Sequence, residues 1–174
     1  NFLYGGQDPI RQFGCGPTAI AMLINSFTDH SVTPVETAVW AAENGYYAPQ
    51  SGSYHSLIPD GLSAFGLCVK SVSSPSVQAA KEELAQGHLL VALMGKGALT
   101  QNGHFIIIVQ TQGEDDAYIA DPNSYENSTL TWSLTQLIGE LKGSYDSGGP
   151  LWAVWPQGQS EPVLPQKKAP LVSP

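Results

Sequence analysis

The chain has 174 residues, 42% hydrophobic and only 13% charged, with seven Lys and Arg against fifteen Asp and Glu and a formal net charge of −8. That length and apolar content form one core-bearing domain and exclude wholesale disorder, while the acidic balance argues against a nucleic-acid or anionic-membrane binder. Two cysteines are too few for a disulfide scaffold, and no apolar run approaches the roughly 20 residues of a membrane helix.

The first dozen residues, NFLYGGQDPIRQ, carry Gly-Gly and Asp-Pro breakers and read as loop or short extended segment. The breaker-free stretch Pro17 to Phe27 predicts a helix beginning near Gly16–Pro17, because proline is tolerated at the first helical position. A second helix is expected over Thr33–Asn44. Thr33 is its N-cap, Glu36 completes a capping box, and Asn44–Gly45 ends it. Tyr46–Tyr54 is turn-like and aromatic, and Ser56–Phe65 is a short helix interrupted by Pro59–Asp60–Gly61.

Leu67–Val72 reads as a strand, Ser74–Gln86 as a helix closed by Gly87, and His88–Met94 as a buried strand. His104–Gln110 (HFIIIVQ) is β-branched and apolar on both faces, so it is central in a sheet. Turn signals in Gln112–Asp116 join it as a hairpin to a strand ending Tyr118–Ala120, followed by Asp121–Pro122. Ser133–Leu141 reads as a short amphipathic helix and Leu151–Trp155 as a last strand. Pro156–Pro174 holds five prolines without periodicity and reads as a linker or tail beyond a 1–155 domain. Helices first and strands later predict an α+β domain with helices packed on an antiparallel sheet.

Three residues at element ends carry the candidate chemistry. Cys15 lies at the loop-to-helix junction in GCGPT, where free N–H groups and the helix dipole favour the nucleophilic thiolate. A buried structural cysteine and a Cys15–Cys68 disulfide are the competing readings. His104 opens the strongest strand and supplies the imidazole that a cysteine nucleophile needs. Asp121 lies 17 residues further on, where the hairpin returns it to the neighbourhood of His104, and it can accept the imidazole N–H. A satisfied strand-end histidine and an Asx turn at Asp121 are the structural alternatives.

The stretches GCGPTAIAML, GYYAPQSGSY and NGHFIIIVQTQGEDDAYIADPNS resemble the bacterial C39-like cysteine peptidases of the papain-like superfamily, from about Gln7 to Trp155. The resemblance implies a papain-like α+β fold, a triad of Cys15, His104 and Asp121, and an oxyanion-hole glutamine upstream of the cysteine. Gln7, in Gln-Asp-Pro, is the choice for that glutamine, with Gln12 as the alternative. The second oxyanion donor is the Cys15 backbone N–H.

His30, His55 and His88 lack partners at metal-ligand spacing, so no metal is expected, and no phosphate loop or other cofactor motif is present. Cys68 reads as a small core residue. The loop with His55, Tyr46, Tyr47 and Tyr54 lines a cleft or packs on the core, and Glu114–Asp116 reads as a solvated turn. The expectation is a cysteine-dependent hydrolase of peptide or other amide bonds. An acyltransferase or amidase of the same fold, or a non-catalytic binding module for peptide or cell wall, are the rivals. The partner is a peptide or protein substrate, with no nucleic acid and no membrane insertion, and the chain is expected to be a monomer. Few basic residues with many Gly, Ser and Thr fit a secreted or cell-envelope bacterial protein. The absence of Met at position 1 fits a processed or cut chain.

Overall fold

The computed structural model describes residues 1–158, so most of the tail read at Pro156–Pro174 lies outside the described residues. The chain divides into two compact units. One comprises Asn1–Val69 and resumes at Trp155, and the other is Lys70–Val154.

The first unit opens with a small hairpin, β1 (Leu3–Tyr4) against β2 (Asp8–Pro9), and a single helical turn, α1 (Ile10–Phe13). The long helix α2 (Cys15–Phe27) follows with Gly14 as N-cap. It begins two residues before the predicted Pro17. Proline is tolerated throughout the first turn, where backbone N–H groups have no intrahelical acceptor. Its buried face is small and aliphatic, with Ala19, Ile20, Leu23 and Ile24.

Helix α3 (Pro34–Glu43) shows the predicted capping box in full. The Glu36 N–H donates to Thr33 Oγ1 at 3.1 Å, and the Thr33 N–H donates to Glu36 Oε1 at 2.8 Å. Buried Thr37 ties α3 to α2 by donating its hydroxyl to the Pro17 carbonyl at 2.7 Å. A second small hairpin, β3 (Tyr47–Ala48) with β4 (Gly52–Ser53), leads to α4 (Leu57–Ala64). The Pro59–Asp60–Gly61 run does not break α4. Pro59 and Asp60 occupy its first turn, and Gly61 is buried within it. Strand β5 (Leu67–Ser71) starts in this unit and ends in the next.

The second unit is built on a sheet. Its chain order is α5 (Val77–Ala85), β6 (Leu89–Met94), β7 (His104–Gln112), β8 (Asp116–Ala120), a 3₁₀ turn (Asn127–Thr129), β9 (Thr131–Ser133), α6 (Leu134–Gly139) and β10 (Leu151–Pro156). The sheet order is β5-β10-β6-β7-β8-β9. The pairings from β10 through β9 are antiparallel. The continuous apolar runs of β6 and β7 are buried on both faces as their composition requires, with Leu90, Met94, Ile106 and Ile108 fully enclosed. α5 starts later than predicted because Ser76 caps it, accepting the Ala79 N–H at 3.0 Å. The expected helix Ser133–Leu141 is present over Leu134–Gly139. Ser133 ends β9 and caps α6, so one residue belongs to both patterns.

Candidate active site

In the first unit, Cys15 is the first residue of α2 and is half-buried. Gly16 behind it is closely packed, since a Cβ there would lie 3.0 Å from Ser53 Oγ and 3.2 Å from Leu57 Cδ2. The same Ser53 hydroxyl is 2.7 Å from the hydroxyl of fully buried Tyr4. Burial pushes the Tyr4 phenol up to about 12 against the opposing pull of the Ser53 hydrogen bond, and the nearby Cys15 and Tyr47 add to the rise. Sequence reasoning passed over Tyr4 and Ser53, which sit in segments too short to show a period. No disulfide joins Cys15 to Cys68, which removes one competing reading of Cys15.

Gln7 and Gln12 stand on different pieces of the same unit, both exposed. Gln7 ends the turn between β1 and β2, which runs through Gly5 and Gly6 at φ 64° and 78°, and its N–H donates to the Tyr4 carbonyl at 3.2 Å. Next to it Asp8 is buried and fixed. The Tyr47 hydroxyl and the Gln50 N–H both donate to Asp8 Oδ2 at 2.6 Å. Gln12 lies inside α1. The aromatic loop is therefore partly structural: Tyr47 is spent on Asp8, and Tyr46 donates to Asp60 at 2.8 Å.

In the second unit, His104 and Asp121 meet. His104 Nε2 lies 2.6 Å from Asp121 Oδ1, and both residues are buried. The register explains the contact. Ile107 pairs with Ala120, so one step further along the hairpin Asp121 falls opposite Ile106. Residues 104 and 106 share a face of the strand, which makes His104 and Asp121 diagonal neighbours within side-chain reach. This parity depends on a bulge. From Gln112↔Asp116 to Gln110↔Tyr118 the ladder would carry Asp121 opposite Ile107, on the wrong face; the shift at Val109 corrects it.

Asp121 is a hub. Its Oδ1 also accepts the Asn123 N–H at 2.9 Å, its Oδ2 accepts Asn127 Nδ2 at 2.9 Å, and its own N–H donates to Ser128 Oγ at 2.8 Å. The Asx turn and the histidine contact are thus held by one carboxylate rather than being alternatives. Burial works to raise the Asp121 carboxyl, but the hydrogen bonds from His104, Asn127 and the Asn123 N–H outweigh it and hold the group below its ordinary value. An ionised carboxylate only accepts, so in this pair His104 Nε2–H is the donor. The segment before His104 is pinned as well. Lys142 Nζ donates to the Asn102 carbonyl at 2.6 Å, and the Gly103 N–H donates to Thr100 Oγ1 at 3.1 Å.

His88 and Asp115 have structural roles. His88 Nδ1 lies 2.7 Å from Glu83 Oε1, whose other oxygen takes Lys70 Nζ at 2.9 Å. Asp115 is no solvated turn residue. It binds the start of α6 through the Thr135 N–H at 2.9 Å and the Ser133 hydroxyl at 2.5 Å. Among the described residues no cluster of His, Cys, Asp or Glu could hold a metal ion, and no helix is long and apolar enough to cross a membrane. Asn127 was missed because nothing in a linear pattern marks a side chain brought to Asp121 by a turn.

The chain belongs to the Peptidase_C39 like family, whose model matches residues 6–150. Among solved structures it resembles that of a candidate C39-like peptidase from Bacillus anthracis, with a TM-score of 0.51. The two are 12% identical, over 82% of this chain and 88% of that one, so the likeness is one of fold. No curated protein matches the chain.

Proposed function

We propose that the chain is a papain-like cysteine peptidase, a hydrolase of peptide bonds that uses Cys15, His104 and Asp121. The observation that carries this reading is the 2.6 Å bond from His104 to a buried, ionised Asp121, in a chain of a peptidase family with a cysteine at a helix N-terminus. In the proposed reaction the Cys15 thiolate attacks the substrate carbonyl carbon, and the carbonyl electron pair moves onto oxygen. Gln7 and the Cys15 N–H hold that oxyanion. As it collapses, the C–N bond breaks and imidazolium His104 gives its Nδ1 proton to the leaving amine. A thioester remains. Neutral His104 then takes a proton from water, whose oxygen attacks the thioester, and the acid leaves as the thiolate re-forms. Asp121 stays ionised throughout and keeps the imidazole in one tautomer.

Residues 1–155 act as one catalytic domain in this reading, on a peptide or protein substrate and as a monomer. The acidic composition fits a secreted or cell-envelope setting. The test is reaction of the intact protein with a thiol-directed peptide electrophile, followed by mapping of the labelled residue. Cys15 takes the label in preference to Cys68, and His104→Ala slows labelling by about 10²-fold or more, the scale of general acid–base assistance. Preferential labelling of Cys68, or wild-type labelling of Cys15 in the His104→Ala variant, overturns the reading.

A further inference from the structure

We infer that Asn127 is a positioning residue of the site, orienting the Asp121 carboxylate so that His104 is held by its Nε2–H. The inference rests on the function proposed above. It starts from how completely the main chain of Asn127 is already occupied. Its N–H donates to Ser124 Oγ at 2.9 Å, and its carbonyl accepts Trp132 Nε1 at 3.0 Å. The turn therefore keeps its shape without the side chain, and the amide Nδ2 is spent on Asp121 Oδ2 at 2.9 Å.

The geometry divides the carboxylate into two sides. Oδ1 takes His104 Nε2 and the Asn123 N–H, while Oδ2 takes Asn127. The Asn123 N–H is fixed to the backbone but is shared with the histidine on one oxygen. Among the described residues Asn127 alone holds the other oxygen, so it sets the rotation of the carboxylate about its Cβ–Cγ bond. Because a carboxylate offers only acceptors, the amide nitrogen and not its oxygen must face Asp121. Loss of that donor lets the carboxylate turn, and the imidazole loses its alignment with it.

The test uses the whole protein with Asn127→Ala and the isosteric Asn127→Asp. Two quantities are read: the rate of iodoacetamide reaction at Cys15, and the Nε2-bound proton of His104 in histidine-labelled NMR spectra. Asn127→Ala is expected to slow alkylation about 10–100-fold, the range seen when a group that orients a functional ligand is removed. It also broadens or shifts the Nε2 proton. Asn127→Asp tests donor character. Ionised, it repels Asp121; protonated, it donates an O–H to Oδ2, so its rate rises relative to Asn127→Ala as pH falls. If both variants alkylate at the wild-type rate with an unchanged His104 proton, the positioning role is overturned. The same result holds if Asn127→Ala unfolds the protein and Asn127→Asp folds with no pH-dependent recovery of the His104 proton. Alkylation indifferent to His104→Ala overturns the hydrolase reading instead, and the imidazole proton, which needs no substrate, still decides the role of Asn127.

Discussion

Asp121→Asn separates what the charge of Asp121 does from what its shape does. An asparagine here keeps its amide oxygen on the side where His104 Nε2 and the Asn123 N–H converge. Its amide nitrogen then faces Asn127, whose own amide can turn over and present oxygen instead of nitrogen. No hydrogen bond need be lost, so stability should change by less than about 1 kcal/mol. What disappears is charge. A hydrogen bond to a charged group contributes about 1.5–3 kcal/mol and a neutral one about 0.5–1.5, so the protonated imidazole loses about 1–2 kcal/mol of support. That is about 5–30-fold in any step that needs the imidazolium. Iodoacetamide alkylation of Cys15 at neutral pH, followed by mass spectrometry, reads this directly, with thermal unfolding as the control on fold. The rate should fall between wild type and His104→Ala. A wild-type rate would remove the carboxylate charge from the mechanism. A rate as low as that of His104→Ala would show that asparagine does not hold the ring as aspartate does, or that the charge contributes far more than this range, and the reasoning from about 1–2 kcal/mol would be wrong.

Thr33→Ala removes the α3 cap that accepts the Glu36 N–H and should cost about 1 kcal/mol. In a chain of this size that is about 2–4 °C in Tm by calorimetry, with the Cys15 alkylation rate unchanged. Burial first, then bonding to Asp60 and Asp8, lifts the phenols of Tyr46 and Tyr47 to about 12, and burial does the same for Tyr4. The stability these groups contribute is present below pH 10.0 and is lost as pH rises through about 12, so ultraviolet titration should show three of the seven tyrosines ionising late. Burial raises the Glu83 carboxyl, but Lys70 and His88 outweigh it and leave the group below its ordinary 4.5. Its contribution is present above that value and lost as pH falls through the lowered one, so Glu83→Gln should flatten the acid limb of a urea-denaturation series. Gln7→Ala should slow turnover by about 10²–10³-fold, as loss of an oxyanion donor does, and Gln12→Ala should do little; the reverse order would assign the oxyanion role to Gln12.

The parts of the fold that were legible in the sequence are those whose cause is local. Thr33 and Glu36 specify the start of α3 by themselves, and the unbroken apolar run of β7 can only be a strand buried on both faces. The parts that were not legible are settled by distant partners. β1 with β2 and β3 with β4 are two-residue ladders, too short to carry a period. β9 exists because β8 pairs with Thr131–Ser133, and Ser133 alone reads equally well as the opening of a helix.

His104 and Asp121 show both cases in one contact. The turn signals after β7 correctly return Asp121 to the histidine's end of the hairpin. Proximity along a hairpin is only half the requirement, because the face alternates at every residue. Counted back from Gln112↔Asp116 with strict alternation, Asp121 lies opposite Ile107 and points away from His104. One unpaired residue, Val109, shifts the count by one and turns the carboxylate to the histidine's face. Nothing in the run IIIVQTQ distinguishes Val109 from its neighbours as the residue that leaves the ladder. The bulge lies between two registers that hold together: β7 pairs with β6 from His104 to Ile108, while Asp116 pairs with both Gln112 and Ser133. The alignment of the dyad is therefore a property of the sheet's pairing, although its two residues are visible in the sequence.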